Sequence, residues 1–278
     1  MRYISFLRPD GSASYGVLAG ESVADLGAAP GAPASLKEAL AAGRLSALEP
    51  SGTLPLGSVT LLPPIPDPGK IFCVGLNYAD HVAEMGREQK GYPAIFTRWA
   101  DTLVAHGKPL MVPRESPCLD YEGELAVIIG KPGRRIARDR AMDHVAGFCV
   151  FNDASVRDWQ RHNIQFTPGK NFPGTGGFGP AIVTPDEAGE LAAQRVQTRV
   201  NGQLLQDQPV SDMIFDVPAI IAYLSSFTQL SPGDVIATGT PGGVGDKRKP
   251  PLYLQDGDRV EVSIGTIGTL ANPVRSEV

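Results

Sequence analysis

The segment LDYEGELAVIIG, residues 119–130, constrains the fold more than any other part of this 278-residue chain. From Leu125 to Ile129 five apolar residues follow one another without a polar break. A strand of that kind has no wet face, so it runs through the interior with protein on both sides. Its entrance is acidic. In an extended backbone Asp120, Glu122 and Glu124 fall on one face, about 6–7 Å between successive members. Such charges repel one another and lose water as the strand enters the core. Taken alone, a D-x-E-x-E run also fits the solvated face of an antiparallel sheet. A second apolar strand, HVAGFCVFND (144–153), ends in another carboxylate, Asp153. Carboxylates collected at the ends of buried strands call for a cation, and a hard divalent ion with oxygen ligands suits them. Glu122, Glu124 and Asp153 would supply three oxygens and leave about three octahedral positions free. The chain has four histidines, none in HxH or HExxH spacing, which argues against zinc.

Further apolar runs read as strands: KIFCVG, AIFTR, RVQTRVNG, DVIATG and DRVEVSI. Asn201-Gly202 marks a hairpin turn. One helix is well specified: Asp216 caps it, Pro218 sits in its first turn, and Val217, Ile220, Ile221 and Leu224 form its apolar stripe. Before these elements, RYISFL and YGVLAG flank the turn RPDGS as a hairpin, and SLKEALAAG reads as a short Ser-capped helix. The proline-rich stretch LLPPIPDPGK (61–70) then acts as a stiff connector. The expected organisation is a small β-rich N-terminal domain, 1–62, and a larger β-rich α+β domain, 63–278.

The net charge of −5 gives no nucleic-acid footprint. Three cysteines without close spacing indicate neither a disulfide framework nor a CxxC site, and Cys73 and Cys149 lie within apolar runs as small buried hydrophobes. The N-terminus reaches a turn too early for a signal peptide, and no apolar run is long enough to span a bilayer, so a cytoplasmic protein is expected.

His81 and Glu84 lie three apart in NYADHVAEMG. Asp80 as cap and Gly86 as terminator would put both on one side of a short helix. If they meet, the carboxylate orients the imidazole and stabilises its protonated form, which makes a general base. From spacing alone, an exposed i,i+3 surface pair is the better fit. The loop TGTPGGVG (238–245) lacks the Gly-Lys-Ser/Thr ending of a phosphate loop, so nucleotide binding is rejected.

Five ordered segments, KIFCVGLNYADHVAEMG, DYEGELAVIIG, VAGFCVFNDASVRDWQ, TPGKNFPGTGGFGP and LSPGDVIATGTPGGVG, together resemble the fumarylacetoacetate hydrolase superfamily, in its branch of bacterial catabolic enzymes. The resemblance runs from about Pro63 to Pro273. It implies a mixed β-sandwich roll, a homodimer, and Mg²⁺ or Mn²⁺ held by Glu122, Glu124 and Asp153. It also implies that His81 and Glu84 activate water, that Lys170 stabilises an enolate, and that Arg157, Gln160 and Thr240 contact an oxo-acid substrate. Asp120 would support rather than ligate. The expected reaction is hydrolysis of a carbon–carbon bond in an acylpyruvate-type 2,4-dioxo acid. The alternatives are isomerisation or decarboxylation of an oxo diacid, or metal binding without catalysis. Specificity is expected in residues 161–178 and 85–93.

Overall fold

The computed structural model describes residues 1–88 and 91–278, so residues 89 and 90 of the expected specificity region 85–93 lie outside it. Its main feature is a twelve-stranded mixed sheet. In spatial order the principal strands are β4 (Thr53–Pro55), β3 (Ser22–Asp25), β2 (Ala13–Ala19), β1 (Arg2–Leu7), β10 (Gly176–Val183), β9 (Val145–Asp153), β8 (Gly123–Ile129), β13 (Val235–Ala237), β5 (Ile71–Gly75) and β6 (Ala94–Arg98). A second sheet has the order β12 (Gln203–Pro209), β11 (Arg195–Val200), β14 (Arg259–Ile264), β15 (Gly268–Ser276) and β7 (Leu110–Val112). Helices are short: α1 (Leu36–Ala41), α2 (Ala79–Glu84), α3 (Arg157–Gln160), α4 (Thr167–Lys170) and α5 (Val217–Phe227) are those used below.

The apolar run dictates this arrangement. All seven residues of β8 are buried, and its side chains divide between two cores. Leu125, Val127 and Ile129 join the core that contains Val196, Val262 and Leu270 of the second sheet and Ile220 and Leu224 of α5. Ala126 and Ile128 join the other core, with Cys73, Phe151, Phe178 and Leu36 of α1. Alternation therefore sends every second side chain to a different layer, and a polar substitution on either face would be buried.

The first strands continue the large sheet. β1 pairs antiparallel with β10 through Arg2↔Val183 and Tyr3↔Ile182, so residues 1–62 extend its edge. Ser35 caps α1 by accepting from the Glu38 amide at 3.2 Å, and Asp216 caps α5 by accepting from the Ala219 amide at 2.9 Å. Asn201 and Gly202 both have positive φ (50° and 81°), as a type I′ hairpin turn requires. Cys73 and Cys149 are buried free thiols. The expected cap of α2 is different: Tyr78 occupies the N-cap position, and Asp80 lies inside the helix with its carboxylate on Gln208 Nε2. Gly86, at φ 61°, follows the helix end as expected.

Among the described residues no helix is long and apolar enough to cross a membrane.

Candidate metal centre and its pocket

The register of β8 with β9 builds the acidic site. Gly123 is opposite Asn152 and Glu124 opposite Phe151, which brings the entrance of β8 beside the end of β9. The Asn152 side chain accepts from the Glu122 amide at 2.9 Å, and the Glu122 carbonyl accepts from the Asp153 amide at 2.9 Å. One oxygen each from Glu122, Glu124 and Asp153 lies within 4.8 Å of the others. Among the described residues this is the one grouping of three His, Cys, Asp or Glu able to hold a metal ion.

Asp120 departs from the common face that period-2 spacing implies. The strand breaks between Asp120 and Gly123, and the carboxylate turns to the Gly245 and Asp246 amides (2.8 and 2.9 Å) and to Arg157 Nε at 2.8 Å. With those three donors it is committed to structure.

Three cations enclose the ligand set. Lys170 Nζ lies 2.6 Å from Glu122 Oε2 and 2.5 Å from Asp153 Oδ2. Arg157 Nη2 lies 2.7 Å from Glu122 Oε1, and its Nη1 donates to Gln160 Oε1 at 3.0 Å. Arg98 donates from Nε to Asp153 Oδ1, from Nη2 to the Ala154 carbonyl, and from Nη1 to Thr175 Oγ1 at 3.0 Å. All three are buried. Neither Arg157 nor Lys170 is therefore the exposed surface cation its local sequence also allowed. Lys170 also lies over the Phe96 ring, 5.0 Å from its centroid, and Phe166 meets Phe96 edge-on.

The balance of charge is uneven. Burial pushes Glu122 up, but Arg157, Lys170 and His81 outweigh it and hold its carboxyl at about 2. Burial raises Glu124 well above the carboxylate range, and repulsion from Asp153 and Glu122 adds to the rise. Its side-chain partner is the Gly239 amide at 2.8 Å. Gly239 sits at φ 104°, and a Cβ there would lie 2.8 Å from the Val74 carbonyl, so the donor depends on glycine. Burial lowers Lys170, but Asp153 and Glu122 raise it further, so the amine stays protonated. Counted with Asp120, four buried carboxylates meet three cations, and an all-oxygen ligand set in such surroundings fits a hard divalent ion.

The same pocket holds the candidate base. It measures about 30 Å³ and is lined by His81, Glu122, Glu124, Lys170, Phe166 and Thr240 among others. His81 is buried on α2, and its Nδ1 is 3.4 Å from Glu84 Oε2. The Gly243 amide holds the Glu84 carboxylate at 3.1–3.2 Å. The pair is therefore not an exposed surface contact. Thr240 lines the pocket, but its hydroxyl donates to the Gly123 carbonyl at 3.0 Å and accepts from Gln206 at 2.8 Å. Gln160 lies in a neighbouring cavity.

Two supporting residues were not singled out in the sequence. Arg98 closes AIFTR, a charge at the end of an apolar run as at Asp153, although this edge strand is only half-buried apart from Arg98 itself. Gln206 bridges the Gly123 amide, Thr240 and the Pro241 carbonyl, and nothing in QLLQDQP distinguishes it from its neighbours.

The fold and site define a β-rich protein with a buried carboxylate centre able to hold a metal ion, beside a pocket with a histidine and a lysine. The chain belongs to the fumarylacetoacetate hydrolase family: residues 70–275 match the model described as Fumarylacetoacetate (FAA) hydrolase C-terminal. It is 40% identical over 266 residues to "Oxaloacetate tautomerase fahd2, mitochondrial" of Xenopus laevis, covering 92% of this chain and 83% of that protein. It is 45% identical over 223 residues to "Oxaloacetate tautomerase YisK" of Bacillus subtilis, covering 79% and 74%. Among solved structures, a fumarylacetoacetate hydrolase of Exiguobacterium antarcticum superposes with a TM-score of 0.86 at 40% identity, over 100% of both chains. A 2-hydroxyhepta-2,4-diene-1,7-dioate isomerase of Mycobacterium marinum superposes with a TM-score of 0.82 at 32% identity, over 100% of this chain and 99% of that one. These names favour isomerisation of an oxo diacid over the acylpyruvate hydrolysis that the sequence reading put first.

Proposed function

We propose that this chain is a divalent-metal-dependent tautomerase of 2-oxo diacids of the oxaloacetate class, interconverting their oxo and enol forms. The observation that carries it is the shared pocket, in which His81, Lys170, Glu122 and Glu124 face the same space, with an oxygen of Asp153 within 4.8 Å of the two glutamates. Tautomerisation needs only a proton carrier for carbon and a stabiliser of enolate charge, and that pocket contains both.

Mg²⁺ or Mn²⁺ held by Glu122, Glu124 and Asp153 would supply Lewis-acid polarisation of the 2-oxo oxygen. The side chains do the rest. With Nδ1 turned to Glu84, Nε2 is the nitrogen of His81 left to carry the proton. In the enol-to-oxo direction Nε2 delivers a proton to C3. The C2=C3 electron pair forms the new C–H bond, and the hydroxyl proton leaves to water as C2=O forms. The imidazole, neutral after the transfer, takes a proton back from water, and Glu84 orients its ring through Nδ1. Lys170 remains an ammonium and hydrogen-bonds the oxygen while it carries enolate charge. Arg157 holds Glu122 in place, and Gln160 and Thr240 border the substrate. Residues 63–278 contain all of these groups, and 1–62 contribute none.

The sandwich-roll description and a homodimer belong to the same reading and draw their support from the family, whereas a cytoplasmic location stays an expectation of the sequence, since relatives such as the Xenopus laevis protein are named mitochondrial. The test follows the ultraviolet absorbance of enol-oxaloacetate with Mg²⁺ plus protein against Mg²⁺ alone. Faster enol decay with the protein is expected, and His81→Ala should lower it by about 10²–10⁴-fold. Release of pyruvate from an acylpyruvate faster than enol decay would return the reading to hydrolysis.

A further inference from the structure

Beside the inner pocket lies a second cavity of about 310 Å³. Leu76 and Phe166 form a wall of both, so the two spaces adjoin. The outer cavity is also lined by Gln160, Arg87, Arg161 and Lys247, and among its described lining residues none is acidic. Its cations are not equivalent. Arg161 and Lys247 are both engaged by Asp246, with Lys247 Nζ at 3.3 Å. Asp246 is buried and also accepts from Tyr253 at 2.8 Å, so its charge is used within the wall. Arg87 is exposed, and among the described residues its guanidinium has no ion pair or hydrogen bond.

The two cavities therefore differ in sign. The inner one is lined by Glu122 and Glu124, two of the three carboxylates that fit a metal ion, and the outer one has a net positive wall with one guanidinium unengaged. Gln160 adds a neutral amide whose oxygen is taken by Arg157. A ligand spanning both spaces would place its oxo-acid end inside and an anionic end outside. A guanidinium is suited to that outer end, because its planar fork matches a carboxylate.

We infer that Arg87 reads the second carboxylate of the substrate, making the outer cavity the subsite that selects diacids over monoacids. This rests on the proposed action on 2-oxo diacids, but its first test uses binding rather than turnover.

Calorimetry on the Mg²⁺-loaded full chain would compare 2-oxoglutarate, a diacid, with 2-oxobutyrate, a monoacid. Wild type should bind the diacid more tightly. Arg87→Gln should reduce the diacid-to-monoacid affinity ratio about tenfold, the scale of one charge-assisted hydrogen bond, and Arg87→Lys should recover part of it. An unchanged ratio in a folded Arg87→Gln protein would overturn the inference. In turnover of enol-oxaloacetate the loss should fall on KM rather than kcat, and a loss confined to kcat would also count against it. No acceleration of enol decay by wild type, together with an Arg87-dependent ratio, would remove the tautomerase reading and leave the subsite standing.

Discussion

At the N-terminal edge of the large sheet, Asp25 is buried and accepts from Arg8 Nε at 2.7 Å, Arg8 Nη2 at 3.2 Å and Ser14 Oγ at 2.6 Å. At the end of β8 and β9, four buried carboxylates (Asp120, Glu122, Glu124 and Asp153) share Arg98, Arg157 and Lys170. Both clusters pack acids against guanidinium groups. In the first, burial raises Asp25 but Arg8 and Ser14 outweigh it, so the acid ends below its ordinary range. In the second, Glu122 is held low and Glu124 is driven high. A structural ion pair balances its own charge, whereas the site keeps an acid in excess that only another cation can balance. That imbalance costs stability without the metal, and it marks where function lies.

Among the cations of the two clusters, the largest effect should come from Lys170→Met. It removes the ammonium that stabilises enolate charge, and kcat for enol-oxaloacetate should fall by about 10²–10³-fold. Because Lys170 occupies oxygens of Glu122 and Asp153, calorimetric Mn²⁺ affinity should hold or rise. Loss of Mn²⁺ binding would show that the lysine builds the ligand set instead of competing for it. Arg98→Met tests the opposite case. Arg98 ties down one oxygen of Asp153 and leaves the other to the centre. Mn²⁺ affinity should weaken by about 10–100-fold, with a smaller change in kcat at saturating metal. Wild-type affinity would mean that Asp153 needs no such support. Arg8→Met should have no effect on kcat or metal binding. It should cost about 1–3 kcal/mol in urea unfolding by leaving Asp25 without its cation, and a change in Mn²⁺ affinity would break the separation of the two clusters.

How much of this was legible in the sequence follows from the range of the forces involved. The run Leu125–Ile129 announces a strand buried on both faces, and the caps Ser35 and Asp216 lie next to the helices they start. The three carboxylates were visible because each sits at the end of such a strand. Pairing across the fold was not visible. β10, whose sequence GGFGPAIV begins with glycines, has weak local strand signals and is fixed by β9 and β1 on either side. The burial of Arg157, its ion pairs with Asp120 and Glu122, and the placing of Arg98 on Asp153 depend on segments far apart in the sequence, 37 residues for Arg157–Asp120 and 55 for Arg98–Asp153. Period-2 spacing misplaced Asp120 because the strand breaks at Tyr121–Glu122, where Asp120 turns to the Gly245 and Asp246 amides. The order of the candidate reactions was not legible for a different reason. A metal, a lysine and a histidine–glutamate pair serve hydrolysis and enolisation alike, and only the relatives' names separate the two.

The two raised and lowered acids also predict opposite pH behaviour without metal. Glu122 contributes stability that is present above its ordinary value of 4.5 and is lost as pH falls toward about 2. Glu124 binds its proton more tightly folded than unfolded, so its contribution is present below 4.5 and is lost as pH rises through its elevated folded value. Above 4.5 Glu124 therefore opposes folding of the metal-free protein.

The measurement that tests this account most directly is thermal melting of wild type and Glu124→Gln at neutral pH, each in EDTA and in excess Mg²⁺. The substitution removes the excess charge and keeps the shape. In EDTA the variant should melt higher, by about 2–4 °C for each kcal/mol of repulsion relieved. Mg²⁺ should raise the wild-type melting temperature clearly and that of the variant little. A variant that melts lower than wild type in EDTA, or that keeps the full Mg²⁺ response, would contradict the claim that an unbalanced buried carboxylate defines this centre.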